Sequence, residues 1–122
     1  SESINRALNA FFNSFGIPGY LEDNIPPGAE LPYLTYQPTI PGGWNEPGTF
    51  HARLWYPSAK GRTLILQTED KISAALADGL TIECEGGAIL LRKGSPWAQP
   101  LDNPPEGYLC EYLNFELTRL IP

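Results

Sequence analysis

The chain has no methionine and a single histidine, His51, among its 122 residues, and its two cysteines, Cys84 and Cys110, have no cysteine or histidine nearby. One histidine and two dispersed thiols exclude a tetrahedral metal cluster and a disulfide scaffold. Basic residues are also scarce. Eight Lys and Arg against fourteen Asp and Glu leave a net charge of −6, which opposes wrapping on a phosphate backbone and excludes nucleic acid as a ligand held by charge. No apolar run approaches the length that crosses a bilayer, and no basic region leads into a hydrophobic one at the N-terminus, so neither membrane span nor signal peptide is expected.

Catalytic spacing is missing as well. His51 alternates with Arg53 on a strand, which fits a solvated or paired side chain better than a general base. Ser58, Ser73 and Ser95 stand outside any nucleophile-elbow setting, the Gly86-Gly87 pair reads as a turn, and Glu83 with Glu85 reads as a solvated strand face. The expectation is a non-enzymatic chain with no catalytic residue, cofactor or metal.

What is present is a sufficient core: 42% hydrophobic residues in one domain spanning 1–122. The organising unit is residues 50–79. Phe50, Ala52, Leu54 and Tyr56 alternate with His51, Arg53 and Trp55, which predicts a strand with one face buried. A long helix is expected to follow directly, capped by Ser58, striped by Ile65, Ile72 and Leu76 together with Leu64 and Ala75, and stopped by Gly79; a strand over 63–67 is the competing reading. Ile4, Leu8, Phe11, Phe12 and Phe15 predict an N-terminal helix over 3–15. Residues 17–32, dense in Pro and Gly, read as a surface linker, and 33–37 as a short strand.

Residues 80–84 and 88–93 around Glu85-Gly86-Gly87 predict a hairpin, 94–105 an irregular loop, and 108–120 a long last strand. The expected fold is therefore α+β, an antiparallel sheet of about five strands with two helices on one face in the order α-β-β-α-β-β-β. Parity separates the thiols. Cys84 shares the apolar side of its strand, whereas Cys110 shares a side with Tyr112 and Asn114, opposite Leu113 and Phe115, so both are expected free.

The loop around 38–49 is too long and too rich in breakers for a tight turn and is expected to project. Pro41, Gly42, Gly43, Trp44 and Asn45 within it, with Trp97 and Gln99 from the 94–105 loop, form the candidate protein interface. Trp44 is either a partner anchor or a lid folded back on the sheet.

The stretches ARLWYPS (52–58), GGAILLRKGSPWAQ (86–99) and YLNFE (112–116), together with LPYLTY (31–36), resemble segments of tail proteins of long-tailed bacteriophages. The parts occur in the order of that group and cover most of the chain, although each motif is structural and none is catalytic. Pro57 and Lys60-Gly61 depart from the pattern and put the first helical turn in question. The resemblance implies a tail-terminator or tail-completion subunit that forms a ring, six-membered by family analogy, on the tail tube and meets the head connector. DNA would then only pass through the lumen. The subunit would be found in the bacterial host cytoplasm during assembly and afterwards in the virion tail. The other class is a monomeric small-molecule-binding or catalytic domain with a pocket between sheet and helices lined by His51, Trp55, Tyr56 and Trp97. Convergence of those aromatics on one concavity separates the second class from the first.

Overall fold

The computed structural model describes residues 2–121. Helix α1 (Glu2–Phe12) precedes strands β1 (Gly19–Leu21), β2 (Tyr33–Gln37) and β3 (Pro47–Pro57), then a short 3-10 turn (Ser58–Lys60), helix α2 (Thr63–Leu76) and strands β4 (Leu80–Cys84), β5 (Gly87–Pro100) and β6 (Tyr108–Leu120). The strands form one sheet in the spatial order β1-β2-β3-β6-β5-β4. All pairs are antiparallel except β1 with β2, which is parallel. The expected five-stranded antiparallel sheet is thereby corrected to a six-stranded mixed one, curled into a half-barrel, in a sheet-dominated α+β fold.

The extra strand lies inside the stretch expected to be linker. Pro18 lacks a donor but keeps its carbonyl, which accepts from the Leu34 amide, and the Glu22 amide donates to Tyr36. Gly19 is required there because a Cβ would come within 2.8 Å of the Phe12 carbonyl oxygen.

The curl follows from the reach of α1. Ser3 Oγ near its start accepts from the Glu85 amide at the β4–β5 turn, and Phe12 at its end lies against Gly19 of β1. Eleven residues span about 16 Å of helix, whereas six flat strands would separate the two edges by about 24 Å. The sheet must bend around the helix for both contacts to exist. Phe12 is fully buried at the centre, stacked on Tyr36 with ring centres 4.5 Å apart and edge-on to Phe50 and Phe115 at 6.3 and 5.3 Å.

Helix α2 covers the same concave face. Ile65, Thr68, Ile72 and Leu76 are its buried residues. Thr68 replaces the expected Leu64 and Ala75, both of which are exposed, because its hydroxyl pairs with the Tyr56 hydroxyl beneath the helix. The helix also starts later than Ser58. Gly61 takes a left-handed φ of 69° and separates the 3-10 turn from an α-helix whose first turn has no side-chain cap. It ends at Leu76, with Ala77 at a φ of 47° marking the turn in place of Gly79.

Two further boundaries differ from expectation. Strand β5 continues through Pro100, with a register break between Lys93 and Ala98 where a loop was expected, and residues 47–49 join β3 where they were expected to belong to a loop. The Glu85-Gly86 turn joins the Cys84–Gly87 pair, with Gly86 at a φ of 82° supplying the conformation a two-residue turn needs.

One charge pair is built into the concave side. Glu111 is 4% exposed, paired across the strands with Leu54, and its carboxylate is held by the Arg62 guanidinium at the start of α2. Glu69 is pushed up from the usual carboxylate range, chiefly by burial and then by Glu111 and Asp70, against the lowering effect of Arg62. Arg62→Ala leaves a buried carboxylate without its partner and should cost about 2 kcal/mol of unfolding free energy in urea titrations. The double substitution Arg62→Ala, Glu111→Leu should recover most of that loss, since no unpaired charge then remains.

Candidate functional site on the convex sheet face

Residues of odd number on β2 and β3 and of even number on β6 face away from both helices. The sequence on these positions is not the solvated set that alternation alone suggests. Tyr33, Thr35, His51, Arg53, Trp55, Tyr108, Cys110, Tyr112 and Asn114 are brought side by side by the register Tyr33↔Trp55↔Cys110 and Thr35↔Arg53↔Tyr112. Tyr20, paired with Thr35, and Glu22 extend the array past β1.

The members lock one another in place. The Trp55 indole N–H donates to Thr35 Oγ1 at 3.1 Å, and the Trp55 ring stands edge-on to Tyr108 with centres 5.9 Å apart. Tyr20 meets Tyr33 edge-on at 5.8 Å. His51 stacks on Tyr112 at 5.2 Å with an interplanar angle of 3°, and the Arg53 guanidinium carbon lies 5.0 Å from the centre of the same ring. Glu22 Oε1 is 2.7 Å from Arg53 Nη1 and 3.8 Å from His51 Nε2. Under this cover Thr35 is 1% and Cys110 2% exposed, so residues on the outward face are as buried as the core. Burial raises the Tyr33 hydroxyl pKa, with Tyr108 and Tyr20 adding to the effect.

Beside His51 the break in β5 opens a cleft of about 410 Å3, lined by Thr49, His51, Ser95, Pro96, Gln99 and Asn114 among others. Asn114 Nδ2 donates to the Pro96 carbonyl and braces the displaced segment. The cleft offers neutral donors and acceptors and one imidazole. Among the described residues no hydrogen bond links a hydroxyl or thiol to His51, and no three His, Cys, Asp or Glu side chains lie close enough to hold a metal ion. No helix of the described residues is long and apolar enough to cross a membrane.

The residues expected at an interface are dispersed. Pro41, Gly42, Gly43, Trp44 and Asn45 lie in the loop before β3, which is fastened to β6 and does not stand free. Arg119 Nη1 donates to the carbonyls of Pro41 and Gly42, the Asn45 amide donates to the Arg119 carbonyl, and the guanidinium lies 4.4 Å over the Trp44 ring. Trp44 is still 43% exposed. Trp97 turns inward, its ring 5.3 Å from Phe115, whereas Gln99 is exposed and paired with Tyr112 on the convex side. Of the pocket expected from His51, Trp55, Tyr56 and Trp97, the first two face outward and the last two inward, so the four do not converge.

The array went unread because alternation marks one apolar face, and Phe50, Ala52, Leu54 and Tyr56 already filled that role. The available signal was aromatic: Trp55 and Tyr112 fall on the parity opposite the face expected to be buried, and Tyr33 and Tyr108 lie against Trp55 on the same side.

No protein-family model matches the chain, and no curated protein matches it. A solved structure whose name states no function is similar over 99% of this chain and 93% of its own, with a TM-score of 0.66 at 14% sequence identity. At that identity the likeness shows the fold alone.

Both cysteines are free. Burial, the largest effect, pushes the Cys110 thiol up to about 12, and a smaller burial effect raises that of the half-buried Cys84. A raised thiol favours the neutral form in the folded state, so its contribution to stability is complete below the unfolded thiol value and is lost as pH climbs from there towards about 12. Thiol labelling of the native protein at mildly alkaline pH should modify Cys84 and spare Cys110, and denaturant should expose the second thiol. Equal native labelling rates would contradict the burial of Cys110.

Proposed function

We propose that the chain is a tail-terminator or tail-completion subunit of a long-tailed phage or prophage, a non-enzymatic protein that caps the tail tube as a ring and joins it to the head connector. The observation that carries this reading is the convex array of Tyr20, Tyr33, Trp55, Tyr108 and Tyr112, a broad aromatic surface that the chain's own helices leave uncovered. Tyr, Trp and Arg are the side chains most enriched where protein interfaces concentrate their binding energy. The order of the motifs over 31–36, 52–58, 86–99 and 112–116 supports the same family. An acidic subunit also suits a lumen through which DNA passes without adhering. Assembly takes place in the bacterial cytoplasm, and the finished ring belongs to the virion tail.

A second reading, a monomeric small-molecule-binding domain, is favoured by the cleft beside His51. Negative-stain images of the purified protein with and without tail tubes separate the two. Rings or tube-end caps support the first, and bare tubes beside monomers support the second.

Trp44 tests the loop. Its ring contacts one cation and the β4–β5 turn and is otherwise open, so Trp44→Ala should cost at most about 1 kcal/mol in stability. An aromatic anchor at an interface typically contributes about 2 kcal/mol, so tube capping by the same variant should weaken about 30-fold. Capping at wild-type protein concentration would remove Trp44 from the interface.

A further inference from the structure

The two edges of the sheet are finished differently. On β1 the main-chain groups that face outward belong to Gly19 and Leu21, because the Leu34 amide donates to Pro18 and the Glu22 amide to the Tyr36 carbonyl, which turns the even positions towards β2. Asn13 closes this edge. Its side-chain amide donates to the Gly19 carbonyl and accepts from the Gly19 amide, at 3.1 and 2.9 Å, and the Asn24 amide takes the Leu21 carbonyl.

Carrying the alternation across the sheet through the paired registers turns Leu80, Ile82 and Cys84 of β4 towards β5 and leaves the amides and carbonyls of Thr81 and Glu83 facing out. Among the described residues they take no partner, and both side chains are exposed. No proline or bulge interrupts the strand. This is an open edge, the kind of template on which a further strand pairs.

We infer that β4 pairs antiparallel with β4 of a second copy of this chain about a two-fold axis through Ile82. The occupant follows from complementarity. In that register Thr81 of each copy lies opposite Glu83 of the other, and the pair exchanges both hydrogen bonds, so four main-chain bonds satisfy every outward donor and acceptor of the two strands. Each glutamate meets a threonine and not a second glutamate, which avoids the like-charge pair that a shifted register would create. Three of the four outward main-chain groups of β1 are already bonded, so among the described residues β4 is the terminal strand whose outward groups all remain for a second copy. A two-fold contact of this kind closes on two chains and is separate from the head-to-tail contacts that a ring needs. It does not depend on the tail assignment.

The test uses the free protein without tail tubes. Light scattering over a concentration series should show a monomer–dimer equilibrium. Glu83→Pro removes an outward amide and no β4–β5 bond, which deletes two of the four bonds and should weaken the dimer about 30-fold. Ile82→Cys in a Cys84→Ser background places the new thiols at a non-hydrogen-bonded site on the axis, where Cα atoms approach about 4.5 Å, and should oxidise to a covalent dimer. A wild-type protein that stays monomeric with no cross-link overturns the inference. A dimer or ring whose mass is indifferent to Glu83→Pro, and whose Ile82→Cys form does not cross-link, overturns it equally and assigns assembly to another surface. Cross-linking at Ile82→Cys supports it even if Glu83→Pro fails to fold.

Discussion

The packing of Phe12 against three strands at once is the contact on which the rest depends. Its ring touches Tyr36 on β2, Phe50 on β3 and Phe115 on β6, and its backbone lies against Gly19 on β1. A helix of eleven residues anchored that way, and held at its other end beside the β4–β5 turn, sets how far the sheet curls. Curling gives the sheet a concave side that two helices fill, and it spreads the side chains of the convex side apart. Small convex residues would then leave the backbone wet. Large ones that lean on each other, such as Trp55 over Thr35 and Arg53 over Tyr112, restore the cover. The convex array is in this sense a consequence of the curl, and its half-buried aromatics are what a neighbouring chain would meet.

Much of the frame was legible because burial is periodic. The alternation in β3 and β6, the short strand at 33–37 and the hairpin around Glu85-Gly86-Gly87 are read from residues alone, since strand parity and a glycine turn leave few alternatives. What was illegible was decided by partners distant in sequence. Strand β1 is three residues between prolines and exists because β2 offers it a parallel partner. Thr68 lies in the apolar stripe of α2 because the Tyr56 hydroxyl lies below it, and Leu64 is left outside although it is the more apolar residue. The start of α2 turned on Gly61, a residue whose left-handed conformation outweighs the helix-capping chemistry of Ser58.

The candidate site was harder to read than the fold for a related reason. A strand with apolar residues on both parities carries no label for which side its helices cover. Cys110 shows this clearly: its parity, opposite to Leu113 and Phe115, is legible in the sequence, yet beside its strand partner Trp55 it is almost as buried as they are. The loop before β3 shows the converse. Its prolines and glycines do keep it out of the ladder, but Arg119, seventy-odd positions later, draws it back onto β6 through two carbonyls and the face of Trp44.

The ends of the sheet bear on how copies of this chain can meet. A ring that grew by continuing one sheet into the next would need two open and complementary edges. Asn13 and Asn24 blunt one of them by spending side-chain and turn hydrogen bonds on both outward groups of Gly19 and on the Leu21 carbonyl. Head-to-tail association therefore has to use faces and loops, where the convex aromatics and the Trp44 loop supply apolar area without fixed main-chain partners. Edge pairing between copies, as inferred above, falls to β4, and a strand that pairs with its own copy does so about a two-fold axis. The proposed ring and the proposed edge-paired dimer thus call on surfaces of different symmetry, and a substitution such as Glu83→Pro acts on the second while leaving the faces needed by the first intact.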